Sequence, residues 1–184
     1  YPLSNLRLGS GIASILKYRQ AGVNVAFGCD GAASNDSQDL LEAVKIGTIL
    51  HNVTDLDYRH WIRPSESIQM AALGGVTGLN MAQELGTIEV GKQADLVLYD
   101  LTNLSLLPQT NPIGLLVLGR PTNAVQEVWV KGDRIISEGK PTRINLDNLR
   151  QQFLEASHWQ TQLDLPTLKQ LEKEYRQAME LSLE

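Results

Sequence analysis

The run Gly22-Val23-Asn24-Val25-Ala26-Phe27-Gly28-Cys29-Asp30-Gly31-Ala32-Ala33-Ser34-Asn35 decides how the first half of this sequence reads. Val23 to Gly28 is a short β-rich run, and Gly28 to Ser37 is a Gly- and Ser-rich loop. Upstream, Ile12, Ile15 and Leu16 recur at helical spacing between Gly9 and Gly22, with Ser10 placed to cap a helix and Gly22 to stop it. Downstream, Leu40 to Leu50 is apolar-periodic again. The order helix, strand, loop, helix predicts parallel α/β architecture, whose functional groups gather on loops beyond the carboxyl ends of the strands. The loop opening at Cys29 is the place to look for chemistry.

Working outward, Ser65 is placed to cap a helical segment carrying Ile68, Met70, Ala71 and Leu73, which Gly74-Gly75 should end; Val76 to Leu85 reads as another short helix. From Gly86 the pattern changes. Gly86 to Gly91 and Ala94 to Asp100 read as turn-bounded strands, and Asn111-Pro112 as a helix start that Gly119 closes. Val125 to Val130 and Arg134 to Ser137 flank Lys131-Gly132-Asp133, the strongest hairpin signal in the chain. Two helical patterns follow, Asp147 to His158 and Pro166 to Leu183, the second with Leu168, Leu171, Tyr175 and Met179 on one face. That stripe should pack either on the α/β barrel region or on a second subunit. Three regions result, at 1–84, 85–142 and 143–184.

With 16 Lys+Arg against 21 Asp+Glu the net charge is −5 over 184 residues, and 42% of residues are hydrophobic. Such a chain can bury a core, and its scattered cations lack the basic footprint of a nucleic-acid binder. Its longest strongly apolar stretches, such as Ile113 to Leu118, fall far short of the roughly 20 residues a membrane-spanning helix needs. Cys29 is the only cysteine, which rules out an intrachain disulfide and a multi-cysteine zinc site and fits a reducing cytoplasm. The start, Tyr1-Pro2-Leu3, has neither an initiator Met nor a signal segment, so a piece of a longer protein is expected.

Asp30 is the leading candidate for chemistry. A carboxylate just past a buried parallel strand points into the mouth where α/β enzymes place catalytic groups, and Gly28 and Gly31 permit close approach of a ligand. The alternative is that Asp30 caps the following turn or helix. Spacing leaves both readings open. Cys29, whose side chain alternates to the opposite face, reads as a small buried residue. The glycines here lack the Gly-Lys-Ser/Thr ending of a phosphate-binding loop.

Two stretches, Pro2-Leu3-Ser4-Asn5-Leu6-Arg7-Leu8-Gly9-Ser10-Gly11 and the run around Asp30, resemble the last two strand ends of the metal-dependent amidohydrolase superfamily, in its cytosine-deaminase-like deaminase and chlorohydrolase subgroup. Leu85 to Val97 is similar to the segment by which that family's chain leaves its barrel for a small β domain, and Val128 to Ile136 to its final hairpin. The resemblance implies the carboxyl-terminal part of a (β/α)8 barrel (last two strands and helices), part of a small β-sandwich domain and a helical tail. It further implies that Asp30 binds a divalent metal, zinc or iron, and shuttles a proton from metal-activated water to the leaving nitrogen. Ser4, Asn5 and Leu6 would then line the pocket for a small heterocyclic substrate, or serve as turn and capping residues. Ser34 and Asn35 would order the loop, line the pocket or cap its helix.

The family also needs a His-x-His pair, further histidines and a Glu general acid/base, all upstream of the region represented here. His51, His60 and His158 are the only histidines and none is so placed; His158, beside Trp159, reads as packing. A whole barrel needs about 250 residues. The expectation is therefore a parent enzyme that deaminates a purine-, pyrimidine- or triazine-like ring. In that reading the isolated chain is inactive and metal-free, awaiting the upstream part of its barrel. Two alternatives stand: hydrolytic dechlorination within the same superfamily, and a catalytically incomplete half with only a structural or associating role, including self-association.

Overall fold

The computed structural model describes residues 1–121, 123–156 and 165–181. The chain divides into two compact units, Tyr1–Arg143 and Ile144–Glu184.

The first unit opens with α1 (Pro2–Arg7) and α2 (Ile15–Gln20). The helix predicted from Gly9 is thus shortened, because Gly9 and Gly11 take left-handed φ of 67° and 90° that a right-handed helix cannot contain. Ser14 occupies the N-cap position in place of Ser10, while Gly22 (φ 71°) stops the chain as expected. Val23 to Gly28 corrects the sequence reading further: it joins no ladder among the described residues. A strand exists only where its N–H and C=O groups find a neighbouring strand, and here the segment is held by packing instead. The Val25 carbonyl lies against Gly74, the Phe27 ring against Gly47 and the Tyr1 ring against Gly28. Asn24 Nδ2 donates to Gly74 O at 2.9 Å. At Gly74 a Cβ would sit 2.4 Å from Val25 O, which is main chain, so this approach requires glycine; at Gly47 it would sit 2.2 Å from Phe27 Cε1, and the ring would have to shift.

α3 (Leu40–Ile49) begins on Asp39, whose Oδ1 accepts from Leu41 N at 2.9 Å and Glu42 N at 3.2 Å, and runs into a 3-10 turn at Leu50–Val53. α4 (Pro64–Gln69) starts with Pro at its first position and Glu66 accepting from Arg63 N at 2.8 Å, so the start lies ahead of the predicted Ser65. Through a wide π turn, Met70–Gly74, it continues into α5 (Gly75–Gly78). Gly74-Gly75 do not end this run, since both hold right-handed angles; the left-handed residue is Asn80, φ 57°, which also cuts short the helix predicted to Leu85. α3 and α4 meet at the buried Thr48 and Ser67, whose hydroxyls lie 2.7 Å apart.

A four-stranded antiparallel sheet in the order β1 (Leu96–Tyr99), β2 (Val125–Val130), β3 (Asp133–Ser137), β4 (Lys140–Pro141) follows. The predicted hairpin is present: Lys131 and Gly132 have φ of 51° and 82°, the signature of a tight two-residue turn, and Val128 pairs with Ile136. Gly86 to Gly91 is not a strand. Thr87 donates to Glu89 at 2.5 Å, and Lys92 Nζ reaches Ala82 O at 2.9 Å and Thr87 Oγ1 at 2.6 Å, so local bonds take the place of a ladder. Asn111 Oδ1 accepts from Gly114 N at 2.9 Å and starts α6 (Pro112–Gly114), which passes into a π turn at Leu115–Gly119 and packs on α3 and α4. Ala43, Val44, Ile62, Leu106, Val117 and Ala124 are the buried apolar residues of this unit.

The second unit holds α7 (Leu146–Ala156) and α8 (Leu165–Ala178). The predicted ends at His158 and Leu183, and the reading of His158 as packing, lie outside the described residues. Leu168, Leu171, Tyr175 and Met179 are exposed. Among the described residues no helix is long and apolar enough to cross a membrane.

Candidate active site

Asp30 follows the segment carrying Val25 and Phe27, in a left-handed conformation (φ 68°) uncommon for a non-glycine residue. The Ser4 hydroxyl donates to its Oδ2, and Gly31 N to its Oδ1 at 2.7 Å. Asn35 Nδ2 donates to Cys29 O at 2.8 Å, and Gln38 Nε2 to both Asp30 O (2.9 Å) and Asn35 O (3.0 Å), which closes the loop on itself. Ser4 and Asn35 are buried, while Asp30 faces solvent. Bonds from Ser4, then Gly31 and Ser34, hold the Asp30 carboxyl below the usual carboxylate range, so it is ionised at neutral pH. Burial, followed by the charges of Asp39 and Glu42, pushes the Cys29 thiol up.

The sequence-selected residues are brought together in part. The contacts Tyr1–Gly28, Ser4–Asp30 and Arg7–Asp36 run in the same direction along both segments, so the two stretches lie side by side in parallel sense, as helix against loop. Ser34 and Asn35 line a depression with Leu3, Arg7 and Asp36. Because α1 advances ~100° per residue, Ser4 and Arg7 face the loop whereas Asn5 lines a separate cavity with Phe27 and Gly47. Leu6 is 45% exposed and lines neither. His51 is buried in the turn after α3, where burial lowers its pKa, and it does not reach Asp30's loop; it borders the cavity that Asn5 lines. His60 faces Asp55 at 2.9 Å in a surface loop. Gln38 and Arg120 carry the loop and had no signal in the sequence; Asp39, directly ahead of an apolar-periodic run, is legible as an N-cap.

A catalytic zinc site takes three protein ligands as a rule. Among the described residues no group of three His, Cys, Asp or Glu side chains converges. Asp30, ionised and solvent-facing, fits as one ligand of such a site; the residues present do not make a whole one.

The chain resembles enzymes of known structure and activity. It is 33% identical over 162 residues to a 5-methylthioadenosine/S-adenosylhomocysteine deaminase of Teredinibacter turnerae, covering 88% of this chain and 36% of the relative. It is 35% identical over 161 residues to a 5'-deoxyadenosine deaminase of Methanopyrus kandleri, covering 85% and 35% respectively. An adenosine deaminase from Xanthomonas campestris, solved with bound zinc, superposes with a TM-score of 0.75 at 30% identity, covering 82% of this chain and 34% of that one. An atrazine chlorohydrolase from Arthrobacter aurescens, complexed with zinc, gives a TM-score of 0.75 at 28% identity, covering 82% and 33%. This chain thus spans about a third of the length of the relatives it matches, which are barrel enzymes of which it represents a mixed α/β portion. The sequence profile of the amidohydrolase family matches residues 1–135, and the chain belongs to that family.

Proposed function

We propose that these residues form the carboxyl-terminal part of a metal-dependent hydrolase that deaminates a purine-, pyrimidine- or triazine-like ring, with Asp30 as one metal ligand and as proton shuttle. The observation that carries the reading is the fixed, ionised carboxylate of Asp30, held by Ser4 and Gly31 at the end of the loop that the resemblance selects. Its remaining ligands would come from the upstream part of the barrel. A divalent metal, zinc or iron, would supply a water whose pKa is lowered toward about 7. Asp30 would be the group that takes up a proton from such a water and passes it to the departing nitrogen. Ser34, beside Asp30, would face the substrate; Ser4 and Asn35, both buried, would act by holding the carboxylate and its loop. The relatives support an adenosine-type thioether nucleoside as substrate. A cytoplasmic location, with Cys29 kept as a free thiol, and self-association belong to the same proposal.

Hydrolytic dechlorination is the second reading, favoured by the likeness to the atrazine chlorohydrolase. In the complete enzyme Asp30→Asn should retain the fold by circular dichroism yet lower kcat by about 10²–10⁴-fold, the weight of a positioned proton acceptor. Unchanged kcat would remove Asp30 from the mechanism. Ammonia release from 5'-thioether adenosines, set against chloride release from a chlorotriazine, separates the two chemistries.

A further inference from the structure

We infer that Arg120 is a positioning residue for the Asp30 loop: a guanidinium from the return segment that holds residues 30–39 in the conformation presenting Asp30. Arg120 ends the π turn after α6 in a left-handed conformation, φ 51°. Its Nε and Nη2 donate to Asp39 Oδ2 at 3.0 and 2.8 Å, and its Nη1 lies 3.5 Å from Glu42 Oε1. Asp39 thereby divides its carboxylate, one oxygen capping α3 through Leu41 N and Glu42 N, the other held by Arg120. From this anchor the bonds run back along the loop. The Ser37 hydroxyl sits between the Glu42 carboxylate and Asn35 Oδ1, the Asn35 amide holds Cys29 O, and the Gln38 amide holds Asp30 O.

The arrangement is specific to arginine. Burial acting alone would raise the Asp39 carboxyl pKa, and the Arg120 bonds bring it below the usual range, so the pair stays charged. A planar fork can hold one oxygen through two N–H groups and still reach Glu42, which a lysine ammonium cannot reproduce. The residue lies 81 positions from Asp39 in the sequence, so the β-rich return segment sets the shape of a loop far upstream of it.

The test is backbone amide exchange, read by NMR on the 184-residue chain. In Arg120→Ala the amides of Ser34 and Asn35, which donate to Gly31 O at 3.0 and 2.9 Å, should exchange about tenfold faster, the weight of one charge-assisted hydrogen bond, while the β2–β3 hairpin amides keep their rates. Arg120→Lys should fall between. Asp39→Asn, which keeps a good N-cap and loses only the charge, should reproduce the loop effect with Leu41 and Glu42 still protected, and it decides the question if Arg120→Ala does not fold. Unchanged loop exchange, or acceleration of equal size in the hairpin, would overturn the inference. The bearing of this loop on catalysis rests on the Asp30 reading. The exchange readout involves no turnover, so its failure leaves that reading standing, and loss of the Asp30 reading leaves the Arg120 coupling measurable.

Discussion

Gly74 and Gly75 are neighbours in one helical run, yet the same substitution at each should act with opposite sign. Their φ values are −59° and −61°, so alanine meets no backbone strain at either, and helix preference favours it by roughly 0.5–1 kcal/mol. At Gly75 a Cβ would meet nothing within 4 Å, and Gly75→Ala should stabilise by up to about 1 kcal/mol. At Gly74 the Cβ would lie 2.4 Å from Val25 O and 3.3 Å from its carbonyl carbon. The obstruction is main chain, from the segment that leads to Asp30, so it cannot be relieved by a rotamer change. Overpacking of this kind costs about 1–3 kcal/mol. Displacing that segment also weakens the Asn24 bond to Gly74 O, worth about 1 kcal/mol. After the helix-preference gain is subtracted, Gly74→Ala should destabilise by about 1–3 kcal/mol, leaving the two variants roughly 2–4 kcal/mol apart. Urea unfolding of the chain, with midpoint and slope compared, measures this. Equal stabilisation by both alanines would show that Val23 to Gly28 is not seated on the helical run, and the placement of Asp30 that depends on it would fall.

What was legible in the sequence depended on whether its cause was local. The Lys131-Gly132 turn and the Asn111-Pro112 start formed as expected because two or three adjacent residues determine them. Val23 to Gly28 has strand composition, but a ladder needs partners, and no described residues supply them. Gly74-Gly75 read as a stop, whereas Gly74 serves close approach and Gly75 faces open space; composition cannot tell a glycine needed for its φ from one needed for its missing Cβ. Asp30 was selected as a candidate from its place at the end of a β-rich run and from the family resemblance. Its surroundings were not, because Ser4 reaches it across 26 positions and Arg120 reaches Asp39 across 81.

Two further outcomes follow from titrating groups. The Cys29 thiol, raised by burial and by the Asp39 and Glu42 charges, should alkylate with iodoacetamide at pH 8 more slowly than a free peptide thiol, because the thiolate is the nucleophile. A rate equal to the peptide's would contradict the partial burial of that side chain beside Asp39 and Glu42. His51, 4% exposed, has its pKa lowered from 6.5 by burial. The unfolded chain then binds more protons than the folded one between the folded value and about 6.5. Stability is therefore complete above that upper bound and is lost as pH falls below it, with a slope of at most about 1.4 kcal/mol per pH unit for one proton. Urea midpoints measured from pH 5 to 7.5 should show this slope in the wild-type chain, and His51→Gln, which cannot titrate, should flatten it. An identical slope in the variant would place the proton uptake elsewhere and leave His51 charged and solvated at the end of α3.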